Sequence, residues 1–287
     1  MTYCFAFIDP GSGIGFVTDR RVVTMTKFGD ISVVTEDAIK VVAINNRAIV
    51  AVAGDVNLLS ALTFDLDIIL MALNPKNWHE VFKKEMRKRY QNLMTFNPEL
   101  RGCTAQIIFA MARTSKSKKV FNLLRMEFGF RNNSCHIGVG AGCTYAAIGT
   151  SPQIRKRLND AAIYNLNDLY EKRITVRSLT QEEWHGIKNL NEMRNASDEP
   201  PIDSYMIDST GGRPFPHVMN EISRGMNRAA LNLNSTLMLA MAASKAIGME
   251  NMAIKEEGAE YGELVGDSWQ ISTLRIPEGF KIGDTAG

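Results

Sequence analysis

Thr2 concentrates two reactive groups at the front of the chain. It follows Met1 and precedes the apolar run Tyr3-Cys4-Phe5-Ala6-Phe7-Ile8. With Met1 removed, Thr2 carries a hydroxyl and a free α-amine, a nucleophile and a base on one residue. An α-amine titrates near ~8, so a small downward push lets it take the hydroxyl proton at neutral pH. A nearby positive charge supplies that push, because like charge disfavours the protonated amine. Lys40, in Ala38-Ile39-Lys40-Val41-Val42, is the candidate. A lysine among apolar residues needs an anion beside it to stay charged, and Asp19 is the candidate for that.

Each residue also has a plainer reading. Met-Thr is a common start. Asp19 can be a strand-end carboxylate paired with Arg20 or Arg21, and Lys40 an edge-strand charge that discourages aggregation. Lys27 rivals Lys40 but sits in a polar stretch. Other chemistries find less support. His79, His136, His185 and His217 show no metal-ligand spacing, and no Gly-x-Ser-x-Gly elbow occurs. Gly138-Val139-Gly140-Ala141-Gly142 lacks the lysine and following helix of a phosphate-binding loop.

The elements that must position these residues read as strands, then helices, then strands. Residues 2–8 and 14–18 form a hairpin around Asp9-Pro10-Gly11-Ser12-Gly13, with Asp19 at its far end. Residues 24–37 read as a loop or edge ribbon. Residues 38–44 and 48–53 make a second hairpin at Asn45-Asn46, stopped by Gly54-Asp55. Leu58, Leu59, Leu62, Leu66, Ile69 and Leu73 then recur at helical spacing up to Asn74-Pro75. A second helix buries Trp78, Phe82, Met86 and Tyr90 and turns Lys83, Lys84 and Arg87 to solvent. Strands follow at 104–111 and 120–128, then a further pair at 134–139 and 143–148. Thr150, Ser151 and Pro152 suit a helix start, with that helix ending near Ala162. Residues 163–232 fit no core pattern and read as an insertion, partly helical near 180–194. A helix rich in Ala and Met resumes at 236–248, its methionine stripe read as core packing. A strand at 268–274 closes the fold, and the tail after Pro277 carries no pattern. Helices segregated from antiparallel strands indicate an α+β fold.

Bulk properties narrow the classes. The chain has 287 residues, enough for one elaborated domain. A net charge of +2 with 22% charged residues gives no reason to expect a nucleic-acid or membrane-surface partner. Cys4, Cys103, Cys135 and Cys143 fit no zinc or redox spacing and read as reduced thiols. No secretory signal or spanning segment is expected. The expectation is a cytoplasmic protein that needs no metal or organic cofactor.

The Thr start, the strand–turn–strand ending in Asp19-Arg20, the lone Lys40 and the Val52-Ala53-Gly54 that follows resemble the proteasome β-type N-terminal-nucleophile (Ntn) hydrolases. The opening Met-Thr-Tyr-Cys looks most like the small bacterial branch, the Anbu-type and HslV-like homologues. The resemblance implies a four-layer αββα sandwich from residues 2–162 and 233–276, with 163–232 inserted. It implies a threonine peptidase with Thr2 as nucleophile and the Gly54 N–H as oxyanion donor. Ala147-Ile148-Gly149-Thr150-Ser151 looks like the family's Ile-Gly-Ser-Gly segment, so Thr150, or Ser151 in its place, would hydrogen-bond the Thr2 amine. Val22, Ala38, Val42, Val52 and Val56 would line a substrate pocket with an apolar preference. Homo-oligomeric rings or stacks and an ATP-driven AAA+ unfoldase partner are further implications. The family's Asp and Ser after the last core helix have no clear match here; Glu250, in Gly248-Met249-Glu250-Asn251-Met252, would stand in for the Asp, and no Ser follows it. A catalytically inactive assembly protein, with the insertion as its interaction surface, is the alternative. An amidase acting on small amides would use the same chemistry.

Overall fold

A computed structural model describes residues 3–9, 13–25, 31–71, 77–115, 118–141, 143–171, 235–259, 264–276 and 279–284. The chain divides into two compact units, Met1–Ile163 with Thr236–Gly287, and Tyr164–Ser235. Most of the second unit, including the segment read as helical near 180–194, lies outside the described residues.

The first unit is mixed α/β with antiparallel sheets. β1 (Tyr3–Asp9) and β2 (Gly13–Asp19) form the first hairpin, and β3 (Val22–Met25) and β4 (Ile31–Thr35) a separate ribbon. β5 (Val41–Asn45) and β6 (Ala48–Gly54) form the second hairpin. Helices α1 (Val56–Thr63), α2 (Leu66–Met71) and α3 (Trp78–Phe96) follow, then β7 (Ala105–Ser115), β8 (Lys118–Arg131), β9 (Ser134–Ala141) and β10 (Tyr145–Gly149). Helices α4 (Pro152–Glu171) and α5 (Ser235–Glu256) precede β11 (Trp269–Arg275) and β12 (Gly279–Asp284). One sheet runs β10-β1-β2-β11-β12 and the other β5-β6-β7-β8-β9.

Side-chain alternation explains why β1 and β2 are apolar throughout. Cys4, Ala6, Ile14 and Phe16 join Ile49, Ala51, Ile108, Ala110 and Leu123 of the other sheet in one buried cluster. The second sheet's opposite face, with Val50, Ile107, Phe109 and Met126, packs on Leu58, Leu62, Phe82, Met86 and Tyr90. Phe82 and Phe109 stack with centroids 4.1 Å apart. Across β1, the Tyr3 hydroxyl donates to Asn159 of α4 at 2.8 Å. A Cβ at Gly15 would lie 3.3 Å from Ala240 of α5, so that helix also touches the first sheet.

Several expectations need correction. The strands read as a further pair separate: β9 joins β8 in one sheet, and β10 joins β1 in the other. The helix expected from Val56 breaks between Thr63 and Leu66, where Asp65 has φ 53°. α4 and α5 run past Ala162 and Gly248, and the tail supplies β12. The methionines of 236–248 are not core: Met238 is half-buried and Met241 exposed, while Ala240, Ala243, Ile247 and Ile254 make the buried face, and Met249 and Met252 further along α5 are exposed as well. Among the described residues no helix is long and apolar enough to cross a membrane.

Candidate active site

β2 delivers Asp19 to the interior at its last residue, where the side chain is fully buried. Three donors meet it. The Tyr3 backbone N–H donates to Oδ1 at 2.8 Å, Lys40 Nζ to Oδ1 at 2.7 Å, and the Gly266 N–H to Oδ2 at 3.1 Å. Lys40 Nζ also donates to the Arg21 carbonyl at 2.5 Å. An ionised carboxylate accepts and cannot donate, so a shell of donors suits the charged form. Burial pushes the Asp19 carboxyl up and the Lys40 ammonium down from their ordinary values, and each partner's charge opposes the other's shift.

Lys40 is fixed from its own backbone as well. Its carbonyl accepts from the Val52 N–H at 3.1 Å, which ties the entry of β5 to β6. On the far side of β6 the Asp55 N–H donates to the Thr104 carbonyl at 3.0 Å. Ladder alternation therefore turns the Gly54 N–H toward the side of Lys40. Gly54 has φ +124°, and a Cβ there would sit 2.3 Å from the Thr104 carbonyl oxygen. Only glycine fits this corner.

The end of β10 brings Thr150 toward the same strand. The β1–β10 ladder closes at Tyr3↔Gly149, and the Gly149 N–H donates to Gln106 Oε1 at 2.6 Å. Ser151 Oγ accepts from the Ile154 N–H at 3.3 Å, which is the N-cap bond of α4. That capping bond belongs to Ser151. Thr150 has φ +43°, and its Oγ1 is buried with no hydrogen-bond partner among the described residues. A strained residue holding an unmatched hydroxyl is a feature that functional sites tend to carry.

Val22, Ala38, Val42, Val52 and Val56 all line one cleft of about 460 Å³, together with Lys40 and Gly54. Leu59 and Thr63 of α1 and Leu66 and Asp67 of α2 also line it. Asp67 and the backbone partners of the ion pair are absent from the sequence reading. The Gly266 and Tyr3 N–H groups and the Arg21 carbonyl are main-chain atoms, which leave no side-chain signal. Gly266 does carry one hint, since a Cβ there would lie 2.7 Å from Arg21 Cβ.

Glu250 has a different partner from Lys40. It pairs with Arg157 of α4 at 2.7 Å, so it does not fill the place of the missing aspartate. Asp267 is the carboxylate beside Gly266, held by Lys255 at 2.7 Å and Arg21 at 3.6 Å. Thr2 and Lys27 lie outside the described residues. No group of metal-ligating side chains occurs among the described residues. The chain matches no protein-family model and no curated protein.

Proposed function

We propose that the protein is a threonine-type peptidase of the proteasome β-type Ntn class, built as a four-layer αββα sandwich. One observation carries the reading: the Tyr3 N–H, one residue after Thr2, and the Lys40 ammonium share the same oxygen of Asp19. That Tyr3 nitrogen is the atom through which Thr2 joins the rest of the chain. In the proposed reaction the Thr2 hydroxyl attacks a peptide carbonyl while its own amine, through a water, takes the hydroxyl proton. Lys40 keeps that amine unprotonated, and Asp19 keeps Lys40 charged and in place. The Gly54 N–H stabilises the oxyanion. The tetrahedral intermediate collapses to an ester on Thr2, and the proton passes to the departing amine. Water then attacks the ester by the same route, releasing the acid and restoring the hydroxyl.

The cleft walled by Val22, Ala38, Val42, Val52 and Val56 would take the side chain before the scissile bond. Its walls favour an apolar residue, and Asp67 is a carboxylate that also lines it. Self-association in a ring or stack in the cytoplasm, and an ATP-driven unfoldase that feeds it, complete the proposal. The test is turnover of short peptides bearing apolar, basic or acidic residues before the scissile bond, run beside small amides. Thr2→Ala is expected to abolish turnover and Thr2→Ser to retain part of it. A Thr2→Ala protein as active as the parent would sink the reading.

A second reading is an inactive assembly protein on the same fold. It draws support from Glu250, the candidate brace, which is engaged by Arg157 instead. Absence of turnover on every substrate, with intact self-association, favours it.

A further inference from the structure

Helix α5 has an outward stripe that no ion pair among the described residues uses. Met241, Lys245, Met249, Met252 and Glu256 follow one another at intervals of 4, 4, 3 and 4 residues, and all five are exposed. The three methionines are 51%, 60% and 55% exposed. A row of large apolar side chains left in water marks an interaction surface, and methionine packs adaptably against a partner. The stripe also holds two opposite charges. Neither Lys245 nor Glu256 has an ion-pair partner among the described residues, whereas neighbouring Glu250, Lys255 and Glu257 all do. Lys245 and Glu256 stand 11 residues apart, about 16 Å along the axis, too far to pair with each other.

We propose that this stripe docks on the same stripe of a second copy of the chain, with the two α5 helices antiparallel about a two-fold axis between residues 250 and 251. An isologous contact must be self-complementary, and this register makes it so. Lys245 meets the partner subunit's Glu256, and Glu256 meets the partner subunit's Lys245. Met249 lies against the partner subunit's Met252, and the reverse, at the centre. A parallel arrangement would set Lys245 on Lys245 and Glu256 on Glu256. The mixed spacing of three and four residues suits two helices packed at a shallow angle. One helix face is smaller than the ~1,200 Å² of a standard interface, so the pair is concentration-dependent. It names a face for the self-association proposed above and stands apart from the peptidase chemistry.

Register and charge are tested separately on the full chain. Met249→Cys and Met252→Cys proteins are mixed in equal amounts and mildly oxidised, and disulfides are located by peptide mass because Cys103, Cys135 and Cys143 are also free thiols. The mixed 249–252 disulfide is expected to exceed either like-with-like disulfide severalfold. Equal yields, or no disulfide at these positions, would overturn the register. In sedimentation velocity, Lys245→Glu and Glu256→Lys are each expected to weaken self-association roughly tenfold, the scale of two surface ion pairs replaced by like-charge contacts. The double exchange K245E/E256K is expected to restore the parent value. Single variants that associate like the parent, or a double variant that does not recover, would contradict the proposal.

Discussion

The Asp19–Lys40 pair and the Arg157 cluster use the same kinds of charge in opposite settings. Asp19 and Lys40 meet at 2.7 Å with both side chains buried. Arg157 reaches Glu250 at 2.7 Å and Glu257 at 2.6 Å from the solvent side of α4 and α5. Distance does not separate the two centres; surroundings do. Water screens the Arg157 cluster, whose charges stay solvated whether paired or not. Around Asp19 no water replaces a lost partner, so each charge depends on the other. A buried pair of this kind is weak ground for a stability argument, because desolvation takes back much of the attraction. Its presence beside Gly54 and a cleft fits a pair kept for chemistry.

Removing one charge from each centre tests the contrast most sharply. Lys40→Ala leaves Asp19 buried and uncompensated, and is expected to cost about 3–5 kcal/mol of stability, with loss of activity even where the protein remains folded. Denaturant unfolding and peptide turnover on the same sample measure both. Gly54→Ala comes next. The added Cβ meets the Thr104 carbonyl in a backbone conformation that L-residues resist, at a cost of roughly 1–3 kcal/mol, and it disturbs the oxyanion donor. A Gly54→Ala protein with parent-like kcat would remove Gly54 from the mechanism.

The pH profile sharpens the same comparison without mutation. On the acid side, activity is expected to rise as the Thr2 amine loses its proton below the ordinary value of ~8. On the alkaline side it falls when Lys40 loses its proton. Burial lowers that proton's affinity, so the fall begins below the ~10.4 of a free lysine. An alkaline limb at or above the ordinary lysine value would place the activity outside this pair. Thr150→Val keeps the side-chain shape and deletes a hydroxyl with no partner among the described residues. It is expected to lower activity up to about tenfold, the scale of one hydrogen bond, with little change in Tm. Arg157→Ala is the smallest expected effect, with Tm and turnover both close to the parent. A large loss there would erase the distinction between the two centres.

Local pattern made much of this legible. The two hairpins, Lys40 within an apolar stretch and a glycine after Val52-Ala53 all follow from residue order, and β1, β2, β5 and β6 form accordingly. The five pocket residues converge because β3, the segment before β5, β5, β6 and the start of α1 all border one cleft. What sequence did not disclose was partnership. Alternation marks β9 and β10 as strands, yet says nothing of which sheet receives them, and they part. Helical spacing finds an apolar face on α5 but not what covers it, which is why the methionines of 236–248 read as core although Met241 is exposed. Asp19 owes two of its three donors to backbone, at Tyr3 and Gly266, positions no side-chain pattern announces. Glu250 shares a region of sequence with the expected brace, but its helix face carries it to Arg157.

The central claim is that one residue supplies both attacking hydroxyl and accepting amine beside a buried ammonium. A peptide epoxyketone reads both groups at once, because its stable cyclic adduct needs the hydroxyl and the free amine of the same threonine. Intact mass of the protein after incubation is the direct measurement. The account predicts loss of Met1 and one adduct at Thr2, with none in Lys40→Ala. A chain that retains Met1 and gains no adduct would contradict it.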